Sequence, residues 1–355
     1  MSATTLFVAP SWLRGAHAQT IWPLLRKGLL PNYRRERWAT PDQDFIDLDW
    51  SDEPAGGDSL PLVPLPKEGG DAGSLRSTSL DGSSWGGPAT NAPLVVLFHG
   101  LEGSSRSHYA RRLMHAVAER GWRGVVVHFR GCSGAANLLP RAYHSGDSTE
   151  IDWVLRRFKQ LFPEAPLYAV GFSLGGNALL KWLGEQGSAA ETVVNGAASI
   201  CPPLDLAAAN EALSHGFNLV YARHFLNTLI PKAIAKLGRY PGLYSARQVR
   251  RARTLYDFDN AVTAPLHGFR NADDYYARAS AKPFLGSVRA PTLLINTLND
   301  PFLPPAALPR SQAISTRIRF ETPDQGGHVG FVAGHLPGNL DWLPQRVLMH
   351  FAELP

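Results

Sequence analysis

The stretch Leu167–Asn177, LYAVGFSLGGN, decides the fold of this chain. An apolar run ends at Gly171, Ser173 lies between two glycines, and a helical pattern of apolar residues follows. This is the pattern of a nucleophile elbow, in which a buried strand turns sharply into a helix with a serine at the apex. Side chains at 171 and 175 would collide with the neighbouring strand or helix, which explains the glycines. The stretch therefore predicts that Ser173 is a nucleophile.

Two later strand ends supply the partners that a serine nucleophile needs, a base and a group that orients the base. Asp300 follows the apolar run Pro291–Asn296. His328 lies in a glycine-rich loop after the strand-like run Ile318–Glu321. In hydrolases with a nucleophile elbow, the order along the chain is serine, acid, histidine. We therefore expect Asp300 to orient His328, and His328 to activate Ser173.

The run Pro93–Gly100, PLVVLFHG, predicts a hydrophobic strand that ends in a turn before the next helix. In hydrolases with an elbow, this turn contributes one backbone N–H to the oxyanion hole, and the residue after the nucleophile contributes the other. We assign these two amides to Leu101 and Leu174, whose side chains are not used by the chemistry. We interpret His99 as a structural hydrogen-bonding residue beside this turn rather than as a second base.

Three other carboxylates compete with Asp300 for the role of orienting the histidine. Asp324 lies four residues before His328 and shares its loop, which leaves poor geometry for bracing the imidazole from behind. Asp273 and Asp274 fall in a helical stretch outside the predicted sheet. We favour Asp300 because it follows a strand, at the edge where open α/β sheets place their functional loops.

Further motifs are spread over most of the chain: HAQT at 17–20, DFIDLDW at 44–50, HGLEGSS at 99–105, FRGCSG at 129–134, YHSG at 143–146, NDPF at 299–302 and GGHVGF at 326–331. Together with the elbow they resemble the YheT-like branch of the α/β-hydrolases, a group related to fungal medium-chain ethyl ester synthase/esterases and mammalian α/β-hydrolase-domain lipases. The resemblance implies carboxylic-ester hydrolysis through Ser173, Asp300 and His328. The chain departs from the family at Gly15-Ala16, where Asn-Pro is usual, and in an inserted segment at 51–92.

Strand-like runs alternate with helical segments along most of the chain. This alternation predicts an α/β-hydrolase fold, a mostly parallel twisted sheet with helices on both faces, in one domain spanning 1–355. With 44% apolar and 18% charged residues, the chain has ample material for such a core. The motif at 44–50 is expected to form the first strand, and the later strand runs are 94–100, 124–129, 167–172, 193–200, 291–296 and 317–321.

Two segments interrupt the alternation of strands and helices. Residues 51–92 are rich in Gly, Pro, Ser and Asp and predict a flexible insertion, because they cannot bury enough apolar surface to offset ordering. Residues 205–283 are predicted to form a largely helical cap inserted between strands 6 and 7 of the fold. An apolar stripe in this cap is expected to pack on the core or to roof an acyl pocket; its members are Phe217, Val220, Tyr221, Phe225 and Leu229.

Composition and motif content limit the kinds of partner, location and cofactor that we expect for the protein. The net charge of +5 is modest and its basic residues are scattered, so we expect no nucleic-acid partner; a cluster at 247–253 leaves weak peripheral contact with anionic lipid open. No apolar run is long enough for a transmembrane segment. Cys132 and Cys201 fit a reducing compartment and the start of the chain lacks a signal-peptide pattern, so we expect a cytoplasmic protein. No residue spacing indicates a metal site or a nucleotide loop, and the expected chemistry requires no cofactor.

The sequence thus predicts a serine hydrolase that cleaves short- to medium-chain carboxylic esters through an acyl-enzyme, acting on a small-molecule ester such as an acylglycerol or fatty acyl ester. Three alternatives use the same fold. An alcohol acyltransferase would pass the acyl group to an alcohol instead of water. A perhydrolase, or an enzyme for another hydrolytic reaction such as amide cleavage, would use the same triad. A catalytically idle lipid-binding or interaction protein would keep only the scaffold. The fold by itself does not specify the substrate.

Replacing Glu53–Asn91 by a short linker should leave the enzyme folded and active. The composition of the segment provides few core contacts to lose, and shortening a loop changes its closure entropy only slightly. Thermal unfolding and ester hydrolysis of the deletion variant measure the outcome. A large fall in melting temperature would mean that the segment docks on the rest of the protein.

Overall fold

The computed structural model describes residues 6–26, 31–51 and 91–354. Within these ranges, eight strands form one sheet: β1 Arg34–Ala39, β2 Phe45–Trp50, β3 Leu94–Phe98, β4 Arg123–His128, β5 Leu167–Phe172, β6 Gly196–Ile200, β7 Thr292–Ile295 and β8 Ile318–Glu321. Their order across the sheet is β1-β2-β4-β3-β5-β6-β7-β8. All neighbours from β4 to β8 pair in parallel, whereas β2 is antiparallel to both β1 and β4. The predicted mostly parallel sheet is confirmed.

The motif at 44–50 forms the second strand of the sheet, so its assignment as the first strand was wrong. A charged strand precedes it and pairs with it in antiparallel register. Arg35 and Arg37 of β1 bind Asp49 and Asp47 of β2, each with an N–O distance of 2.7 Å. The aspartates of β2 compensate the positive charges of the arginines of β1. Because β1 is held by these ion pairs and contains few apolar residues, its hydrophobicity pattern did not identify it as a strand. The run predicted at 193–200 also begins later, at Gly196.

Helices cover both faces of the sheet. Along β3, Leu94, Val96 and Phe98 belong to one apolar cluster, whereas Val95 and Leu97 belong to another. Successive side chains of a strand point to opposite faces, so the sheet separates two buried layers. The helices in the described ranges are α1 Ala16–Leu25, α2 His108–Glu119, α3 Ser148–Leu161, α4 Leu174–Gln186, α5 Leu206–Leu213, α6 Leu219–Arg239, α7 Ala246–Arg251, α8 Leu255–Phe258, α9 Ala264–Leu266, α10 Ala272–Ala279 and α11 Trp342–Ala352.

Six of these helices, α5 to α10, lie between β6 and β7 in the chain, and a π-helical turn, Asp259–Thr263, joins α8 to α9. They contain apolar clusters of their own, one of which includes Leu226, Val249 and Phe258. The function of this segment as a cap stays a prediction. Most of the predicted flexible insertion at 51–92 lies outside the described residues. No helix within the described ranges is both long and apolar enough to cross a membrane.

Candidate active site

Ser173 stands at a sharp turn between β5 and α4. Its backbone has φ +50° and ψ −118°, a conformation that non-glycine residues rarely adopt, and its amide donates a hydrogen bond of 2.9 Å to the carbonyl of Ile200. At Gly175, a side chain would overlap the carbonyl oxygens of Phe98 and His99 at the end of β3. The elbow therefore packs directly against the neighbouring strand, which is possible only with glycine at this position.

His328 lies between Ser173 and Asp300 and is within hydrogen-bond distance of both. Its Nε2 is 2.9 Å from the Ser173 Oγ, and its Nδ1 is 2.9 Å and 3.2 Å from the two carboxylate oxygens of Asp300. A carboxylate can only accept, so Nδ1–H donates to Asp300 and Nε2 is left to accept the serine hydroxyl. Asp300 and His328 are buried, whereas Ser173 is half-buried. The structure thus brings together the three residues that the sequence singled out.

The two leucine amides assigned to an oxyanion hole flank the serine. On either side of Leu101, the amides of Gly100 and Glu102 donate to the hydroxyls of Tyr109 and Tyr143. Among the hydrogen bonds of the described residues, none involves the amide of Leu101 or of Leu174. A side chain on Gly100 would lie 3.2 Å from the Ser173 Cβ, so this turn runs against the serine. Free backbone amides beside a nucleophile are what an oxyanion hole requires.

His99 makes two structural hydrogen bonds at this turn. Its Nδ1–H donates to the carbonyl of Gly100 at 2.7 Å, and its Nε2 accepts from the amide of Phe129 at 3.1 Å. Burial lowers the pKa of His99 to about 3, which keeps the imidazole neutral. Both ring nitrogens are therefore occupied, and His99 supports the turn as the sequence indicated.

The carboxylates that compete with Asp300 lie elsewhere. Asp273 accepts a hydrogen bond from the hydroxyl of Tyr256, and Asp274 pairs with the arginines at 270 and 278. Asp324 is exposed, and no described hydrogen bond joins its side chain to His328. Asp300 also accepts from the amide of Phe302 at 2.8 Å, which orients its carboxylate.

Comparison with known proteins identifies the family of this chain. A sequence model described as alpha/beta hydrolase fold matches residues 93–334. The chain belongs to this family. YheT of Escherichia coli strain K12, whose name describes it as a candidate esterase, is 36% identical over 98% of this chain and 93% of its own length. The resemblance to the YheT-like branch is confirmed.

More distant relatives agree with this assignment. Human phospholipase ABHD3 is 28% identical, and the alignment covers 99% of this chain and 79% of the phospholipase. A crystal structure of the Pyrococcus furiosus esterase Pf2001 aligns with a TM-score of 0.50 at 13% identity, over 93% of this chain and 95% of its own. At that identity the likeness concerns the fold alone.

In this α/β-hydrolase, the HAQT motif on α1 supports the loop that carries His328. The buried side chain of Gln19 donates to the carbonyls of Leu13 and Val332 and accepts from the amide of Val332. Thr20 Oγ1 accepts from the amide of His328 at 2.8 Å. A side chain on Gly330 would overlap the carbonyl of Gln19, so loop and helix are in direct backbone contact. Sequence reasoning singled out the motif without a role, because its partner is 308 residues away.

Asn177, the last residue of the elbow motif, joins three parts of the hydrolase. Its side-chain amide donates to the carbonyls of Ser145 and Ala279 at 2.8 Å each, and its oxygen accepts from the amide of Ala281. The YHSG loop and the end of α10 are thereby attached to the first turn of α4. This explains the buried position of Asn177 and the placement of the loop beside the site.

The described residues contain one group close enough to hold a metal ion, formed by Cys201, Asp300 and His328. Their ligand atoms lie within 4.8 Å of one another. Burial raises the pKa of the Cys201 thiol well above its ordinary value, and the other two residues are hydrogen-bonded to each other. Because only a thiolate binds a metal well, this donor set does not fit a metal centre.

Burial also raises the pKa of Cys132 to about 12 and keeps that thiol unreactive.

Ser173 and His328 open onto a cavity of about 300 Å3. One side is formed by the turn at 99–105 and the YHSG loop, and the other by the helices between β6 and β7. Of the predicted apolar stripe, only Phe225 and Leu229 line this cavity; Phe217 and Val220 are 52% and 55% exposed. Phe217 lies in the turn Gly216–Asn218 before α6, and Val220 lies on a different side of α6 from Phe225 and Leu229, so the expectation for those two positions was wrong.

Asp300→Asn should lower kcat for ester hydrolysis by roughly three to four orders of magnitude, because the amide no longer stabilises the imidazole with its proton on Nδ1. Asp324→Asn is the matched control, since it makes the same change on the exposed side of the same histidine loop, and kcat should stay near the wild-type value. Steady-state kinetics on a chromogenic ester measure both. If the two variants exchanged their effects, the acid would be Asp324.

Proposed function

We propose that this protein is a carboxylic ester hydrolase that works through Ser173, His328 and Asp300. The hydrogen-bonded series from the Ser173 hydroxyl to His328 and on to Asp300, with both distances at 2.9 Å and the serine facing a cavity, carries the proposal. A nucleophile, a base and an orienting group in this geometry are the recurring arrangement of serine hydrolases. Relatives named as esterases and a phospholipase support the same class of reaction.

In the first half of the reaction, the Ser173 Oγ attacks the ester carbonyl while His328 Nε2 takes the hydroxyl proton. Asp300 stabilises the resulting imidazolium through Nδ1–H. The amides of Leu101 and Leu174 donate to the tetrahedral oxyanion. His328 then returns the proton to the departing alkoxide, the carbon–oxygen bond breaks, and the alcohol leaves an acyl group on Ser173.

In the second half, a water molecule takes the position of the alcohol. His328 removes a proton from this water as its oxygen attacks the acyl carbonyl, and the same two amides hold the second oxyanion. Proton transfer from His328 to the Ser173 Oγ releases the carboxylic acid and restores the site. An alcohol in place of water would give acyl transfer, so the partition of the acyl-enzyme between added ethanol and water separates hydrolase from transferase.

The cavity favours an ester with an apolar acyl chain of short to medium length. Its volume of about 300 Å3 is at the lower end of ligand pockets, which extend from about 300 to 1,000 Å3. The wall formed by the helical segment that connects β6 to β7 contains mainly apolar side chains, among them Leu206, Leu213, Phe225, Leu229, Phe258 and Val262. We therefore assign the acyl chain to this wall and the function of a cap to the segment 205–283.

Ser173→Ala should abolish both ester hydrolysis and labelling by a fluorophosphonate, because each requires the serine oxygen as nucleophile. The melting temperature should be unchanged. Ser188→Ala, at an exposed serine in the turn after α4, is the control and should keep labelling and rate. Activity of Ser173→Ala within tenfold of wild type would refute the role of this serine, and absence of labelling in the wild type would favour an idle binding protein.

With esters of one alcohol, kcat/KM should rise about fourfold for each added methylene, since burial of a methylene is worth about 0.8 kcal/mol, and should stop rising at a defined chain length. Phe225→Ala should move that length upward and Leu229→Trp should move it downward, with little change for the acetyl ester. Val220→Trp is the matched control, because it lies on the same helix but faces solvent. A flat series from two to twelve carbons would show that this wall does not bind the acyl chain.

A further inference from the structure

Glu102 places a buried carboxylate next to the proposed oxyanion hole. It directly follows Leu101 in the HGLEGSS motif, its side chain is only 8% exposed, and it lines the same cavity as Ser173. Its backbone has φ +55°, which for a glutamate is an uncommon and strained conformation. A fixed negative charge here opposes the negative charge that develops on a substrate oxygen, so its presence needs a physical explanation.

Tyr143 holds Glu102 at two points. The amide of Glu102 donates to the Tyr143 hydroxyl at 2.8 Å, and that hydroxyl donates to the Glu102 Oε1, also at 2.8 Å. Burial raises the pKa of Tyr143 well above its ordinary value, so the hydroxyl keeps its proton. The tyrosine ring stacks on Phe129 with 5.3 Å between centroids, which fixes its position. The turn that carries the Leu101 amide is thereby anchored to the YHSG loop.

Lys232 of α6 supplies the opposite charge. Its Nζ lies 2.8 Å from the Glu102 Oε2, and it too lines the cavity. The contact joins the oxyanion turn to the helical segment between β6 and β7, which is 130 residues further along the chain. With Tyr143 on one carboxylate oxygen and Lys232 on the other, the side chain of Glu102 is turned toward these partners rather than toward a proton-transfer role at Ser173 or His328.

We propose that Glu102 and Lys232 are a positioning pair for the oxyanion hole: Glu102 holds the turn through Tyr143, and Lys232 cancels the charge of the carboxylate and ties the turn to α6. This inference rests on the proposed function. It makes the helical segment part of the transition-state environment as well as a wall of the acyl pocket. No hydrogen bond or ion pair among the described residues joins either side chain to Ser173 or His328. The pair therefore acts on the oxyanion through the position of the Leu101 amide and through the balance of charge beside it.

The proposal predicts an order of activities that a merely structural ion pair would not produce. Lys232→Met leaves an uncompensated carboxylate beside the oxyanion and should lower kcat/KM about tenfold, less than the 10²–10³-fold typical of deleting an oxyanion donor. Glu102→Gln keeps an acceptor for Tyr143 and should stay within about threefold of wild type. The double variant should therefore be more active than Lys232→Met, and Lys232→Arg should restore near wild-type activity.

The readout is chosen to report on the oxyanion itself. Across these variants, the inhibition constant of a trifluoromethyl ketone, whose adduct with serine carries an oxyanion, should rise in proportion as kcat/KM falls. The KM for an acetyl ester should change little. Arg223→Met is the matched control, since it removes one positive charge from the exposed side of the same helix and should leave all values unchanged.

Two results would overturn the positioning pair. One is a double variant no more active than Lys232→Met, and the other is ketone inhibition that stays constant while kcat/KM falls. Fluorophosphonate labelling of the wild-type protein is measured first. Failure of that labelling overturns the proposed function, whereas normal labelling with either result above overturns only the role of Glu102 and Lys232.

Discussion

The backbone of Ser173 is held in a strained conformation by the close packing of the elbow against the end of β3. A residue in such a conformation costs of the order of 1–3 kcal/mol and persists only where the surroundings enforce it. The surroundings here are the buried strands on both sides, the hydrogen bond from the Ser173 amide to Ile200, and the missing side chain at Gly175. This strain lifts the serine side chain out of the sheet, and the rest of the site is arranged around it.

Strain is concentrated around this serine. Five of the six described non-glycine residues with positive φ lie in the turns and loops that follow β3, β5, β6 and β8: Glu102, Ser173, Cys201, Val329 and Phe331. In a parallel sheet, the carboxyl ends of neighbouring strands meet at one edge, and side chains from several turns can converge there. Buried polar groups hold such turns in place: the hydroxyl of Tyr143 accepts from the amide of Glu102, and the side chain of Gln19 accepts from an amide in the loop of His328.

The helical segment between β6 and β7 is attached to the core by polar contacts as well as by apolar packing. Lys236 Nζ lies within 3.2 Å of four acceptor oxygens, the side-chain oxygen of Asn137 and three backbone carbonyls between residues 139 and 141. Lys232 binds Glu102 one turn earlier on α6. Burial lowers the pKa of Lys236 to about 8. Such contacts specify where the segment sits over the cavity, because an ammonium group that is partly removed from water, as that of Lys236 is, must keep its acceptors.

The local sequence determined the elbow, the order of serine, acid and histidine, and the parallel sheet, because turn sterics, strand periodicity and chain order act over short distances. Tertiary structure decided the rest. Only the folded chain brings Thr20 to the amide of His328 and Lys232 to Glu102, since neither contact leaves a local pattern. Likewise, helical spacing identified an apolar stripe at 217–229, but only the packing of α6 against the cavity shows that Phe225 lines it while Val220 faces solvent. Contacts between distant segments depend on how whole elements pack, and local patterns in the sequence do not show that packing.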